Sequence, residues 1–64
     1  MNSIKLMQEN LVGRKVRDCS ETSVAVITSV YRADRQNYAV ASYYDGTLNV
    51  HVPVSYLRDH YVFL

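Results

Sequence analysis

The dipeptide Asp45-Gly46 separates two strand-like runs, residues 38–44 and 47–52, and is the most specific structural signal in the chain. Both central residues of a type I′ turn need a positive φ, which Asp and Gly tolerate, and the twist of this turn matches that of paired strands. The sequence therefore predicts an antiparallel hairpin with a two-residue turn at Asp45-Gly46.

The second run alternates, because Leu48, Val50 and Val52 fall on one side and polar residues on the other. This period of two is typical of a strand with one face on a core and one face in water. We expect Ala41 and Tyr43 of the preceding strand to share the inner face.

Further segments rich in β-branched and aromatic residues predict three more strands. These segments are residues 11–17, with a bulge or a close backbone approach at Gly13, residues 24–31 and residues 61–64. Residues 32–37 are polar and predict an exposed loop. Pro53 cannot donate to a strand ladder, so it ends its strand and leaves room for one helical turn within residues 54–58.

The N-terminal segment carries a different pattern. Ile4, Met7 and Leu11 have the spacing of a short amphipathic helix, with Ser3 available as the N-cap and Asn10 as a stop. So short a helix is stable only when it docks on the rest of the molecule. Residues 1–10 therefore predict either a short helix or an extended arm, followed by a single domain at residues 11–64.

Composition bounds the class of protein. The chain has 64 residues, a formal net charge of +1 and one cysteine. So short a chain holds one domain with a marginal core, and its balanced charge excludes a strongly basic nucleic-acid tail. A single thiol suits a reducing compartment, and the sequence lacks a secretory signal and the roughly 20 apolar residues of a membrane span. We expect a cytoplasmic protein with no membrane contact.

The order of these segments resembles the small five-stranded SH3-like barrels of the Tudor and KOW-like type. The likeness is carried by residues 13–16, 25–30 and 41–46 and covers about residues 11–64. It implies an all-β barrel that acts as an interaction module for peptides, protein surfaces, RNA or DNA. A Tudor-type cage for methylated ammonium groups needs several converging aromatic rings, and residues 18–23 contribute none.

Metal binding and catalysis find little support in the sequence. Cys19, His51 and His60 are the soft metal-ligand candidates, and their spacing lacks the close pairs of structural zinc sites. No nucleophile, phosphate-loop or metalloprotease motif is present. We therefore expect no metal, no cofactor and no enzymatic activity, with His51 as a solvated strand residue.

Exposed tyrosines and arginines are the side chains that we expect to contact a protein partner, because amphipathic rings and guanidinium groups anchor protein interfaces. The chain has six tyrosines. The remaining aromatic residues, Tyr43, Tyr56, Tyr61 and Phe63, are expected to fill the core. The predicted partner-binding residues are Tyr31, Tyr38, Tyr44, Arg32 and Arg35.

Nucleic-acid binding is the alternative hypothesis. A barrel that brought the basic residues of the first strand and of the loop after the second strand together would form a phosphate-contacting patch beside exposed tyrosine rings. The residues of this alternative are Arg14, Lys15, Arg17, Arg32 and Arg35.

The preferred hypothesis is a stand-alone adaptor or inhibitor that occupies a host protein, encoded by a bacteriophage or mobile element and acting in the host cytoplasm. The apolar C-terminal run at residues 62–64 would leave a strand edge exposed unless it pairs. This edge suggests a homodimer formed through the terminal strand.

Overall fold

A computed structural model describes residues 3–64, which form five strands and two helices. In chain order these are α1 (Ser3–Leu11), β1 (Lys15–Asp18), β2 (Val24–Ala33), β3 (Gln36–Tyr43), β4 (Leu48–Pro53), α2 (Val54–His60) and β5 (Tyr61–Phe63). The predicted all-β class is thus found in its coarser form, as a mainly β domain with two short helices.

The five strands form one antiparallel sheet in the order β4-β3-β2-β1-β5. Helix α2 connects the two edge strands and contacts β3, β4 and β5, so the sheet curves around it. Among residues 3–64, however, no ladder joins β4 to β5. The predicted barrel closure is therefore wrong. Strand β5 has only three residues, and α2 lies between β4 and β5, the two edge strands that a closed barrel would bring together.

The core lies on the concave face of the sheet, under both helices. Ile27, Leu57 and Val16 are its largest fully buried side chains. Ala41 and Tyr43 are buried on this face, which confirms their predicted orientation. On β4 the alternation holds for Val50 and Val52, but Leu48 is exposed, because it lies at the end of an edge strand.

Helix α1 packs on the sheet through Ile4, Met7 and Leu11, which confirms the helical alternative for the N-terminal segment. Leu11 belongs to this helix, so the prediction of a first strand beginning at residue 11 is wrong. Gly13 has a φ of 90° and turns the chain from α1 into β1. Its amide donates to the carbonyl oxygen of Ile27 at 2.7 Å, which starts the contact with β2.

The predicted turn at Asp45-Gly46 is confirmed. Asp45 and Gly46 have φ values of 55° and 90°, and the amide of Thr47 donates to the carbonyl oxygen of Tyr44 at 3.2 Å. The last pair of the β3–β4 ladder is Tyr43 and Leu48, so four residues lie between the two strands. Tyr44, Asp45 and Gly46 all have positive φ in this loop.

A second two-residue turn, which the sequence did not predict, lies between β2 and β3. Asp34 and Arg35 have φ values of 49° and 64° there, and Ala33 pairs with Gln36. The residues predicted as a polar loop at 32–37 thus continue two strands around a tight turn.

The C-terminal strand has a partner within the chain. β5 pairs with β1 over Tyr61–Phe63, and the amide of Leu64 donates to the carbonyl oxygen of Lys15 at 2.9 Å. Val62 and Leu64 remain exposed. A homodimer through this strand stays a prediction.

Candidate functional site

The β2–β3 hairpin extends beyond the rest of the sheet. β1 pairs with β2 only as far as Val26, and β4 pairs with β3 only as far as Tyr38. Residues 32–37 therefore form a two-stranded arm with no neighbouring strand among the described residues, and all of them but Asn37 are exposed. The molecule is correspondingly elongated, with extents of 36 × 22 × 21 Å.

Two tyrosines stack at the base of this arm. Tyr31 and Tyr38 lie directly opposite each other in the β2–β3 ladder, with ring centroids 5.4 Å apart and planes 14° from parallel. Val30, which precedes Tyr31, and Ala39, which follows Tyr38, point inward and are buried in the core. Since side chains alternate along a strand, the two tyrosine rings lie on the outer, convex face.

His51 joins these rings from β4. The Tyr31 hydroxyl and His51 Nδ1 are hydrogen-bonded at 2.6 Å, and their rings meet edge-on at 5.5 Å. His51 pairs with Val40, which is buried on this outer face. Three strands therefore each supply one ring to a group that we call the aromatic cluster, in which Tyr31 and Tyr38 are half-buried and His51 is exposed.

Sequence reasoning placed Tyr31 and Tyr38 in the site and missed His51. The signal was visible, because His51 points outward in the alternation of β4 and a turn at Asp45-Gly46 sets it opposite Val40, the pairing that the structure shows. Its contact with Tyr31 also depends on the β2–β3 register, which pairs Tyr31 with Tyr38.

The two arginines of the predicted site lie on the arm. Arg32 Nη1 donates to Asn37 Oδ1 at 3.3 Å across the ladder, and Arg35 is exposed in the turn. Because Arg32 follows Tyr31 in a strand, its side chain starts from the opposite face of the hairpin. The arm thus carries Arg32 and Arg35 together with the acidic Asp34, which shares the turn with Arg35, and the tyrosine rings lie at its base.

Tyr44 is not part of this group. It follows the opposite end of β3 from Tyr38, six residues or roughly 20 Å along an extended strand. Its side chain is 65% exposed, and its hydroxyl shares a hydrogen bond of 2.9 Å with Ser23 Oγ.

The three remaining basic residues lie at the β1 side of the sheet. Arg14 packs over the ring of Phe63 at 5.0 Å, and Arg17 Nη1 donates to the carbonyl oxygen of Glu21 at 2.9 Å. Lys15 pairs with Val26, again six residues or roughly 20 Å along β2 from Arg32. The structure therefore divides the five predicted nucleic-acid contacts into two separate groups.

No family model, curated protein or solved structure matches the chain. The resemblance to Tudor and KOW-like domains is thus supported only at the coarser level of a small antiparallel five-stranded sheet.

The remaining candidate groups are dispersed. Cys19 is exposed, and its backbone amide donates to the carbonyl oxygen of His60 at 2.9 Å. Within residues 3–64, no three His, Cys, Asp or Glu side chains are placed to hold a metal ion together. No helix in the same part of the chain is long and apolar enough to cross a membrane.

Two titratable groups near β5 have altered acidity. The pKa of Asp18 is lowered, chiefly because its carboxylate accepts hydrogen bonds from the backbone amide and the hydroxyl of Ser20, at 2.9 and 2.8 Å. Burial raises the pKa of Tyr61, whose hydroxyl lies 3.4 Å from that of Tyr43. Both groups lie away from the aromatic cluster, at the end of the sheet where β5 pairs with β1.

Proposed function

We propose that the protein is a non-catalytic binding module, an adaptor or inhibitor, that recognises a protein surface through the aromatic cluster and the β2–β3 arm. The observation that carries this proposal is the stacked, half-exposed Tyr31–Tyr38 pair at the base of a projecting hairpin. The resemblance to small interaction modules agrees with it.

The energetic argument rests on preorganisation. Tyrosine and arginine are enriched among the residues that dominate binding energy at protein interfaces. In the aromatic cluster the rings are already held by stacking and by the hydrogen bond to His51, so less side-chain freedom is lost when a partner docks. The arm adds Arg32 and Arg35 as polar contacts around this apolar centre.

Site-specific photo-crosslinking tests the proposal. A photoreactive phenylalanine analogue replaces Tyr38 in one variant and Tyr56 in a matched control, because Tyr56 is an exposed tyrosine on α2, away from the cluster. In native cells, we expect a discrete protein adduct from position 38 that survives nuclease and that position 56 does not give. Identical adducts from both positions, or none from position 38, would contradict the proposal.

Nucleic-acid binding is the second candidate, favoured by the combination of stacked tyrosine rings and arginines on one arm. Aromatic side chains stack on unpaired bases while basic groups follow the phosphates. The division of the basic residues limits this mode, because one strand contacting the arm would meet Arg32 and Arg35 but not the β1 group.

Oligonucleotide binding tests this second candidate, and its salt dependence shows how many of the basic residues take part. For single strands, the slope of log K against log salt is about −0.7 per neutralised phosphate, so binding through the arm alone gives about −1.4 and a five-residue patch about −3.5. Anisotropy of a labelled 20-nucleotide oligothymidine measures this slope. Saturable binding that Tyr38→Ala and Arg35→Ala both weaken would favour the nucleic-acid mode over the protein mode.

A further inference from the structure

Strand β2 has a stretch of backbone whose neighbour is missing on one side. β1 reaches β2 only at residues 24–26, and Arg14 extends the contact by accepting a hydrogen bond of 3.0 Å from the amide of Ile27. From residue 28 to 33, β2 is flanked by β3 on one side and, within the described chain, by no strand on the other. An unpaired strand edge is a template for a further strand. We call this side of residues 28–33 the open edge.

One side-chain hydrogen bond shows which peptide groups face the open edge. Gln8 Nε2, on α1, donates to the carbonyl oxygen of Val30 at 3.0 Å. The peptide groups of Val30 therefore point away from β3. Peptide groups alternate in direction along a strand, so the N–H and C=O of Arg32 also face the open edge.

The same contact shows what chemistry the open edge accepts. The Gln8 side-chain amide donates to a strand carbonyl, as the backbone N–H of an adjacent strand would. A cavity of about 460 Å³ lies between α1 and β2 beside it, lined by Val12 and Val30 as well as Lys5 and Glu9. Val12 is substantially exposed there. Backbone partners and an apolar recess thus adjoin each other.

We propose that an extended segment of a partner polypeptide adds to the open edge as a sixth strand and places an aliphatic side chain against Val12. This inference rests on the proposed function in one respect, that the partner is a protein. The added backbone takes the place of the Gln8 amide at the Val30 carbonyl and accepts the hydrogen bond of the Arg32 N–H. A second copy of this chain suits the edge less well, because pairing two open edges would bring two α1 helices to the same junction.

Backbone substitutions separate strand addition from side-chain recognition. Arg32→Pro removes the N–H that faces the open edge while leaving the β3 ladder its donors, and proline is tolerated in strands at such positions. Arg32→Ala is the matched control, because it removes the guanidinium and keeps the N–H. Gln8→Ala removes the internal competitor for the Val30 carbonyl.

The probe is a synthetic 12-residue peptide recovered from a random library displayed on phage and selected on the wild-type protein. We expect Arg32→Pro to bind the peptide about tenfold or more weakly than Arg32→Ala, because both variants lose the guanidinium and only the proline variant leaves a peptide carbonyl without its backbone donor. Gln8→Ala should bind more tightly. Equal losses in Arg32→Pro and Arg32→Ala, or the recovery of no binding peptide, would overturn strand addition.

A second measurement uses the wild-type protein and so does not depend on the folding of a proline variant. Single N-methyl groups placed along the peptide should abolish binding at every second position and be tolerated between them, because only alternate amides face β2. Losses that follow side-chain identity instead would overturn strand addition. So would a dimer that Arg32→Pro converts to monomer, which would make a second copy the occupant.

The aromatic cluster provides the readout that separates this inference from the proposed function. If Tyr38→Ala weakens the peptide while the N-methyl pattern shows no alternation, the cluster still binds protein and only strand addition fails. If neither Tyr38→Ala nor Arg32→Pro changes the affinity, both fail.

Discussion

Arg35 has a backbone conformation that residues with a side chain adopt only at a cost. Its φ of 64° at the second central position of the β2–β3 turn is left-handed, which costs an L-residue with a Cβ roughly 1–2 kcal/mol. Type I′ turns favour glycine at this position. We expect Arg35→Gly to raise the free energy of unfolding by about 0.5–1 kcal/mol, after glycine's extra entropy in the unfolded chain is subtracted.

Urea denaturation of Arg35→Gly and of Arg35→Ala measures this effect. The alanine variant controls for loss of the guanidinium, because it keeps a Cβ in the left-handed position. A glycine variant no more stable than the alanine variant would contradict the argument from backbone strain. The same glycine variant also removes one cation from the arm, so it should reduce the salt slope of any oligonucleotide binding by about 0.7.

Asp18 offers a prediction about acidity at the same scale. Its pKa lies below the ordinary 3.8 because of two hydrogen bonds from Ser20, first from the backbone amide and second from the hydroxyl. Ser20→Ala removes only the hydroxyl, so it should raise the pKa of Asp18 part of the way toward the ordinary value. Because the folded pKa is lowered, the stabilisation is complete above pH 3.8 and is lost as the pH falls through the folded pKa.

Carboxyl carbon chemical shifts followed through an acid titration give the Asp18 pKa directly. Ser55→Ala, an exposed serine on α2, serves as the control and should leave it unchanged. An Asp18 pKa that Ser20→Ala lowers or leaves unaltered would show that the hydroxyl does not stabilise the carboxylate.

Residue types explain which turns the sequence could predict. Asp45-Gly46 was correctly assigned to a chain reversal, but Tyr44 also adopts a positive φ of 53°, which a tyrosine does not signal in advance. Asp34-Arg35 gave no turn signal, because arginine is not a typical left-handed residue. Pairing of β2 with β3 imposes the conformation of Asp34-Arg35, and pairing of β3 with β4 imposes that of Tyr44.

At the scale of elements, α2 shows how an amphipathic helix can divide neighbouring residues between core and solvent. Leu57 is 0% exposed, whereas Tyr56 is 47% exposed and stacks on His60 with ring centroids 4.1 Å apart. The expectation that Tyr56 fills the core was therefore wrong. A single helical turn after Pro53 was predicted, and the helix that actually forms runs on to His60 and turns Tyr56 outward.

Leu57 and Tyr56, neighbours on α2 with opposite exposure, provide a test of stability. Leu57→Ala leaves a cavity in a closed core and should cost about 2–5 kcal/mol, while Tyr56→Ala should cost less than about 1 kcal/mol. A domain of this size has a total stability of roughly 3–10 kcal/mol, so Leu57→Ala should be largely unfolded at moderate temperature. Thermal denaturation followed by circular dichroism compares the two, and equal losses would contradict the assignment of the core.

The elements best predicted were those with a strict period. Ile4, Met7 and Leu11 indicated α1, and the alternation of Val50 and Val52 indicated β4. The boundary between α1 and β1 was missed, because Leu11 fits both a helical stripe and a strand, and only packing on β2 decides between them.

At the scale of the whole molecule, the sheet is open and carries an arm that no other strand within residues 3–64 covers. Strand number and antiparallel character followed from the sequence, because each strand had its own pattern. Closure did not, since it depends on whether the edge strands are long enough to meet. The candidate site was predictable only in part, because the sequence does not show how far apart its residues lie along the strands. Tyr31 and Tyr38 pair across one hairpin, whereas Tyr44 and the β1 basic residues are separated from them by the length of β2 and β3.

The central claim is that the aromatic cluster binds a protein, and affinity measurements on a purified partner identified by crosslinking at position 38 test it most directly. Calorimetric titration compares the wild type with Tyr31→Ala, Tyr38→Ala and the control Tyr56→Ala. We predict that each cluster variant weakens binding by about tenfold or more and that the control changes it less than about twofold, since ring anchors at an interface centre dominate its energy. Cluster variants that bind as tightly as the wild type, or a control that loses as much as they do, would contradict the claim.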